Sequence, residues 1–152
     1  MEGDYKLMGY RRLFIMRKDL NMSPGKLVAQ VAHCAEAYWT NKLRNGLKQI
    51  PDSQNGYYEY CDIFQKDEVE QYINASFVKT ICGAKNKYQL LKAKTLAEEL
   101  GLQEGEHFGL IYDNCLTELT PEEENGTCLT GIWFAPLPDE TAHQISKKYQ
   151  LL

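Results

Sequence analysis

The sequence contains no apolar run near the roughly 20 residues that a membrane-crossing helix requires, and its opening, MEGDYKLMGY, has no signal-peptide core. A soluble, cytoplasmic protein with no membrane partner is the expectation. Its five cysteines, Cys34, Cys61, Cys82, Cys115 and Cys128, are odd in number and include no C-x-x-C pair. That argues against a disulfide framework or a zinc knuckle and for reduced thiols. His33, His107 and His143 form no H-x-x-x-H pair, so no metal is expected. Neither G-x-G-x-x-G nor a Walker loop occurs, which leaves a nucleotide cofactor unsupported. Charge is missing in blocks. Residues 75–96 carry five Lys and no acid, and residues 97–140 carry eleven acids and no Lys or Arg. Residues 1–48 carry nine Lys/Arg against four Asp/Glu. Two basic segments can therefore share a face and meet a polyanion despite a net charge of −4, or remain solvated faces with no ligand.

What is present fits one α/β domain. At 152 residues the chain can bury about two-thirds of its unfolded surface. Residues 10–18, with Leu13 to Met16 apolar, read as a buried first strand. After a turn, Ser23 is an N-cap and Pro24 a first helical residue. The helix runs to about residue 42, with Leu27, Val31, Cys34, Ala35 and Tyr38 as its apolar stripe. Gly46, Pro51, Asn55 and Gly56 mark residues 45–60 as a long loop, and residues 67–74 can form a short helix. A second strand over 76–82 precedes a helix capped by Asn86, running to Leu100 with Gly101 after it. Strands over 108–112 and 128–134 flank a loop containing PEEENG, and a last helix spans about 138–148. The order β-α-(α)-β-α-β-β-α predicts a three-layer α/β/α sandwich around a four-stranded mixed sheet. Strand two, its helix and strand three would form a parallel right-handed crossover, with strand four antiparallel.

In such sheets ligands gather at the carboxyl ends of parallel strands. Lys26, Gln30 and His33, spaced by four and three, share one helix face at the exit of strand one. Asp113 lies at the exit of strand three, with Thr117 four residues later. If those strands are neighbours, Lys26, Asp113 and Thr117 converge. Each also has a purely structural reading: a solvated lysine, a packed histidine, a capping aspartate, a threonine satisfying backbone groups.

Residues 16–33, MRKDLNMSPGKLVAQVAH, resemble the opening pattern of the type II peptidyl-tRNA hydrolases. Residues 77–81 resemble that family's second strand, LIYDNCLTEL its aspartate-containing strand exit, TGIWFAP its threonine-strand-proline pattern, and DETAHQISKKYQLL its closing helix and tail. The chain departs from the family in Asn114–Cys115 after the aspartate, in Ala135, and in a long insertion at about 43–74 within a single domain over 1–152. The resemblance implies hydrolysis of the ester joining a peptide to tRNA, which is acyl transfer to water. It suggests Asp113 as the residue orienting or partly deprotonating water, Lys26 as the cation for the oxyanion or a phosphate, and Thr117 and Thr130 as hydrogen-bond donors. His33 would be the acid-base group, Gln30 a binding residue, and Arg17, Lys18 and Lys85 the phosphate contacts for peptidyl-tRNA. It extends the family's frequent homodimer to this chain, and no metal or other cofactor. Cys115 beside the site reads as a thiol nucleophile or, preferably, as a loop residue. The departures motivate a second expectation, a catalytically lapsed relative that binds RNA or protein, and a third is a hydrolase of another small ester or amide.

Overall fold

The computed structural model describes residues 9–152; the expectation for the N-terminal opening falls largely on the first eight residues, outside them. Among the described residues, no helix is long and apolar enough to cross a membrane. Strand β1 (Tyr10–Arg17) is buried without a break from Arg12 to Arg17, as a strand covered on both faces must be. Its side chains alternate between two cores. Leu13 and Ile15 pack with Leu90, Ala93 and Ala97 of α3 (Lys87–Glu99) and with Ala142 and Ile145 of α4 (Asp139–Ser146). Phe14 and Met16 pack on the other face with Cys34 and Tyr38 of α1 (Pro24–Leu47).

Among the described residues the fold is a mixed α/β arrangement with one sheet and four helices. The sheet has six strands, in the order β3 (Phe108–Asp113), β4 (Cys128–Phe134), β1, β2 (Val78–Ala84), β6 (Gln150–Leu151), with β5 (Leu137–Pro138) pairing to β1. The expectation of four is corrected: β5 and β6 are two residues each, too short to leave a periodicity. Strands one and three are not neighbours either, because β4 lies between them. Yet β1 is parallel to β2, and β4 is antiparallel to both β1 and β3. The carboxyl ends of β1, β2 and β3 therefore share one rim of the sheet, and the connection through α3 passes over two intervening strands.

Helix α1 begins where expected, with the Ser23 hydroxyl accepting the Lys26 N–H at 3.3 Å, but it continues to Leu47 instead of 42. Gly46 does not break it. A Cβ there would lie 2.4 Å from the Tyr60 ring, so glycine is the residue that lets the following loop pack against the helix. Helix α2 (Lys66–Glu68) continues as one π turn (Val69–Ile73), and the Tyr38 hydroxyl donates to buried Glu68 at 2.5 Å to tie it to α1. Helix α3 is capped by Asn86, which accepts the Gln89 N–H at 2.8 Å, and closes on Gly101 with φ of +83°.

The pairing of β3 with β4 slips by one residue, from Ile111↔Gly131 to Tyr112↔Leu129, leaving Thr130 as the extra residue of a bulge. Strict alternation would send Thr130 to the same side as Ile132 and Phe134. The bulge reverses the two positions: Leu129 joins the α3–α4 core and Thr130 turns toward α1.

Candidate active site

The loop leaving β3 folds back beside α1, and the centre of the contact is one ion pair. Lys26 Nζ lies 2.7 Å from Asp113 Oδ1, with the two side chains only 14% and 11% exposed. The Gln30 amide donates to the same oxygen at 3.1 Å, and the Cys115 N–H donates to Oδ2 at 2.9 Å. Burial alone would raise the Asp113 carboxyl. The Lys26 ammonium, the Cys115 N–H and the Gln30 amide together outweigh it and hold the group below the ordinary carboxylate range. Asp113 is thus an ionised hydrogen-bond acceptor and a weak base. It can orient a water far better than it can deprotonate one.

Behind this pair stands a buried relay. Thr130, with no exposure, donates to Gln30 Oε1 at 2.7 Å and lies 3.3 Å from the Ile111 carbonyl. A hydroxyl donating to Oε1 fixes the amide's orientation, so that Nε2 must face Asp113. Gln30 itself is 1% exposed. Both residues are buried beneath the surface, and they connect to it through Asp113. The bulge in β4 is what aims Thr130 here.

The loop after β3 is pinned on its far side as well. Glu118 accepts from both the Ser23 N–H (2.9 Å) and the Ser23 hydroxyl (2.6 Å), at the amino end of α1. These two bonds lower its carboxyl pKa, as does nearby Lys26. Thr117, between Glu118 and the ion pair, accepts from Lys26 Nζ at 3.4 Å. Cys115 adopts φ of +59°, in the left-handed region, which explains why a small residue suits this position. Burial and the adjacent Asp113 carboxylate raise its thiol, so it is no thiolate nucleophile.

A cleft of about 600 Å³ opens from the ion pair between α1 and β3. His33 is exposed on its α1 wall, three residues beyond Gln30, or about 4.5 Å farther along the axis. Lys26, His33, Ala37, Asn41 and Arg44 line the same wall. Lys26 and Arg44 are 18 residues apart, about five whole turns, and so lie on one line of the helix. Arg44 and Asn41 were not foreseen from sequence. The repeat from Lys26 to Arg44 was the available signal, and the Asn45–Gly46 pair hid it.

The basic residues divide. Arg17 is 4% exposed and its guanidinium is engaged by Asp19 (2.7 Å), by Glu122 and by the Leu129 carbonyl (3.0 Å). Burial would lower its pKa, but these two carboxylates raise it. It holds a loop in place and is not presented to a phosphate, contrary to expectation. Lys18 and Lys85 are exposed at the carboxyl ends of β1 and β2, on the rim that also carries Asp113. Across two and three strand spacings they lie about 10 and 14 Å along that rim from the β3 terminus.

The comparisons with known proteins agree with one another. A family model described as Peptidyl-tRNA hydrolase PTH2 matches residues 10–152. The chain is 29% identical over 143 residues to a peptidyl-tRNA hydrolase of Thermococcus sibiricus, covering 94% of this chain and 98% of the relative. Relatives with the same printed name in Thermococcus onnurineus and Methanopyrus kandleri are 28% and 27% identical, with the same coverage.

Proposed function

This chain belongs to the Peptidyl-tRNA hydrolase PTH2 family, and on that premise we propose that it hydrolyses the ester of peptidyl-tRNA, releasing peptide and free tRNA. The observation that carries the reading is the Asp113 carboxylate, held by Lys26 and Gln30 at the end of an open cleft. A water donating to Asp113 attacks the acyl carbon. The carbonyl oxygen becomes an oxyanion facing the Lys26 ammonium, with Thr117 as a further donor. His33 lies in the same cleft and can both accept and donate a proton. It takes one from the water as the new C–O bond forms and returns it to the ribose oxygen as the ester C–O bond breaks. Lys26 supplies the positive charge, so the scheme calls for no metal. Gln30 and Thr130 position Asp113, and Lys18 and Lys85 meet tRNA phosphates.

The lapsed-relative reading gains no support at Asn114–Cys115, since the Cys115 N–H adds a hydrogen bond to Asp113. The proposal also takes the chain as one domain with residues 43–74 inserted, built as three layers, cytoplasmic because its substrate arises in translation, and a homodimer. Single-turnover hydrolysis of a peptidyl-tRNA tests it. Asp113→Ala is expected to slow cleavage at least a hundredfold, on the order of one lost transition-state contact. Unchanged rates would remove Asp113 from the site. Salt-sensitive tRNA binding with no cleavage by the unaltered protein would favour a binding module instead.

A further inference from the structure

Among the described residues strand β3 ends the sheet, so one of its edges has no neighbouring strand. The Phe108 carbonyl accepts the Gly105 N–H, while the His107 carbonyl accepts from Ala135 in the extension of β4. Phe108 therefore faces outward and its neighbours inward. By alternation the N–H and C=O of Leu110 and Tyr112 also point outward, away from β4, on the side where no further strand pairs among the described residues. Leu110 to Asp113 all line the cleft, which follows this edge beneath α1. The unpaired edge is thus recessed under a helix, which leaves room for a single extended chain and shields it from pairing with a second sheet.

We infer that the peptide portion of the substrate binds here as a short strand parallel to β3, held by the outward backbone groups of Leu110 and Tyr112. The inference rests on the hydrolase reading, because that reading fixes where the peptide must begin. Its carboxyl terminus is the acyl group at Asp113, which is also the carboxyl end of β3. A chain lying along the edge with that end at Asp113 must run in the same direction as β3. The edge is already used in this orientation at Glu104–Phe108, which blocks it beyond Phe108. The groove thus accommodates about three to four residues. Main-chain pairing reads no side chains, which suits a substrate whose peptide can have any sequence. Ala37 opposite the strand leaves space for varied side chains, and Leu116, 86% exposed, offers an apolar flank.

In a parallel pair, residues of the added strand turn their backbone groups toward the partner alternately. The test uses peptidyl-tRNAs carrying one to five residues, together with a four-residue series N-methylated at one amide at a time, and the unaltered protein. The expected result is a KM that falls as the peptide lengthens and levels off by about four residues. N-methylation should reduce kcat/KM roughly tenfold at alternate amides and hardly at all at those between, by loss of single backbone hydrogen bonds. Cleavage that is indifferent to length and to every N-methyl group overturns the strand and leaves the hydrolase standing. A uniform loss at all positions also overturns it. Failure to cleave any peptidyl-tRNA overturns both.

Discussion

Replacing Thr130 by Val tests whether this residue acts on the reacting atoms or through Gln30. Val keeps the branched shape and removes only the hydroxyl. In the structure that hydroxyl lies 2.7 Å from Gln30 Oε1, in a place without solvent exposure. Its loss leaves a buried carbonyl oxygen without a donor, at a cost of about 1–3 kcal/mol. For a domain of this size each kcal/mol moves Tm by about 2–4 °C, so a central cost of about 2 kcal/mol predicts a drop of about 4–8 °C. The freed amide no longer has to face Asp113, and the carboxylate loses one of the two donors on Oδ1. About 1.4 kcal/mol of lost positioning corresponds to a tenfold fall in kcat. KM should stay within twofold (roughly the scatter of such comparisons), since the hydroxyl has no solvent exposure. Thermal melts and steady-state hydrolysis read these quantities, and Thr130→Ser should restore both. A thousandfold loss of kcat with an unchanged Tm would refute the reasoning, because the hydroxyl would then act on the substrate directly. No change in either would show that the relay does nothing.

Three further expectations follow from the same geometry. Lys26→Met leaves the burial of Asp113 unopposed by its nearest cation, so its carboxyl pKa should rise; the acid limb of the pH–rate profile should move toward neutrality and kcat should fall at least a hundredfold, on the order of one oxyanion donor. Glu122 is held down to about 2 by its hydrogen bonds from Arg17 and Cys128, against the opposing effect of burial, with the Arg17 charge adding to them. A carboxyl lowered on folding stabilises the fold above its unfolded pKa and loses that contribution as pH falls through the folded value. Glu122→Gln should therefore lower stability at pH 7, by less than about 1 kcal/mol for so exposed a carboxylate, and the difference should fade in melts as pH drops to about 2 and below. Lys18→Ala and Lys85→Ala should each reduce the slope of log affinity for tRNA against log salt by about 0.7–0.9 without changing kcat; an unchanged slope would take these lysines off the tRNA path.

Much of this was legible because local patterns and long-range constraints agreed. The Ser23–Pro24 start, the Asn86 cap and Gly101 all rest on chemistry within a few residues, and all stand where the sequence puts them. The meeting of Lys26 with Asp113 was expected for a reason that proved incorrect, adjacency of strands one and three. It holds because β1 and β3 point the same way across β4. What escaped the sequence depends on contacts between distant segments. Gly46 reads as a helix breaker until the Tyr60 ring is seen against it. Arg17 reads as a free cation until Glu122, 105 residues away, is found beside it. Thr130 reads as one more residue in an alternating strand, and only the slip against β3 reveals its side.

The bond pair between Ser23 and Glu118 has a mechanical consequence. One oxygen atom both closes the first turn of α1, by accepting from Lys26 N, and anchors the segment that carries Thr117. Swinging that segment outward costs both bonds to Ser23 but leaves its hydroxyl the Lys26 N–H, whereas fraying of the first turn removes the footing of the anchor: the loop and the helix start are latched at one residue.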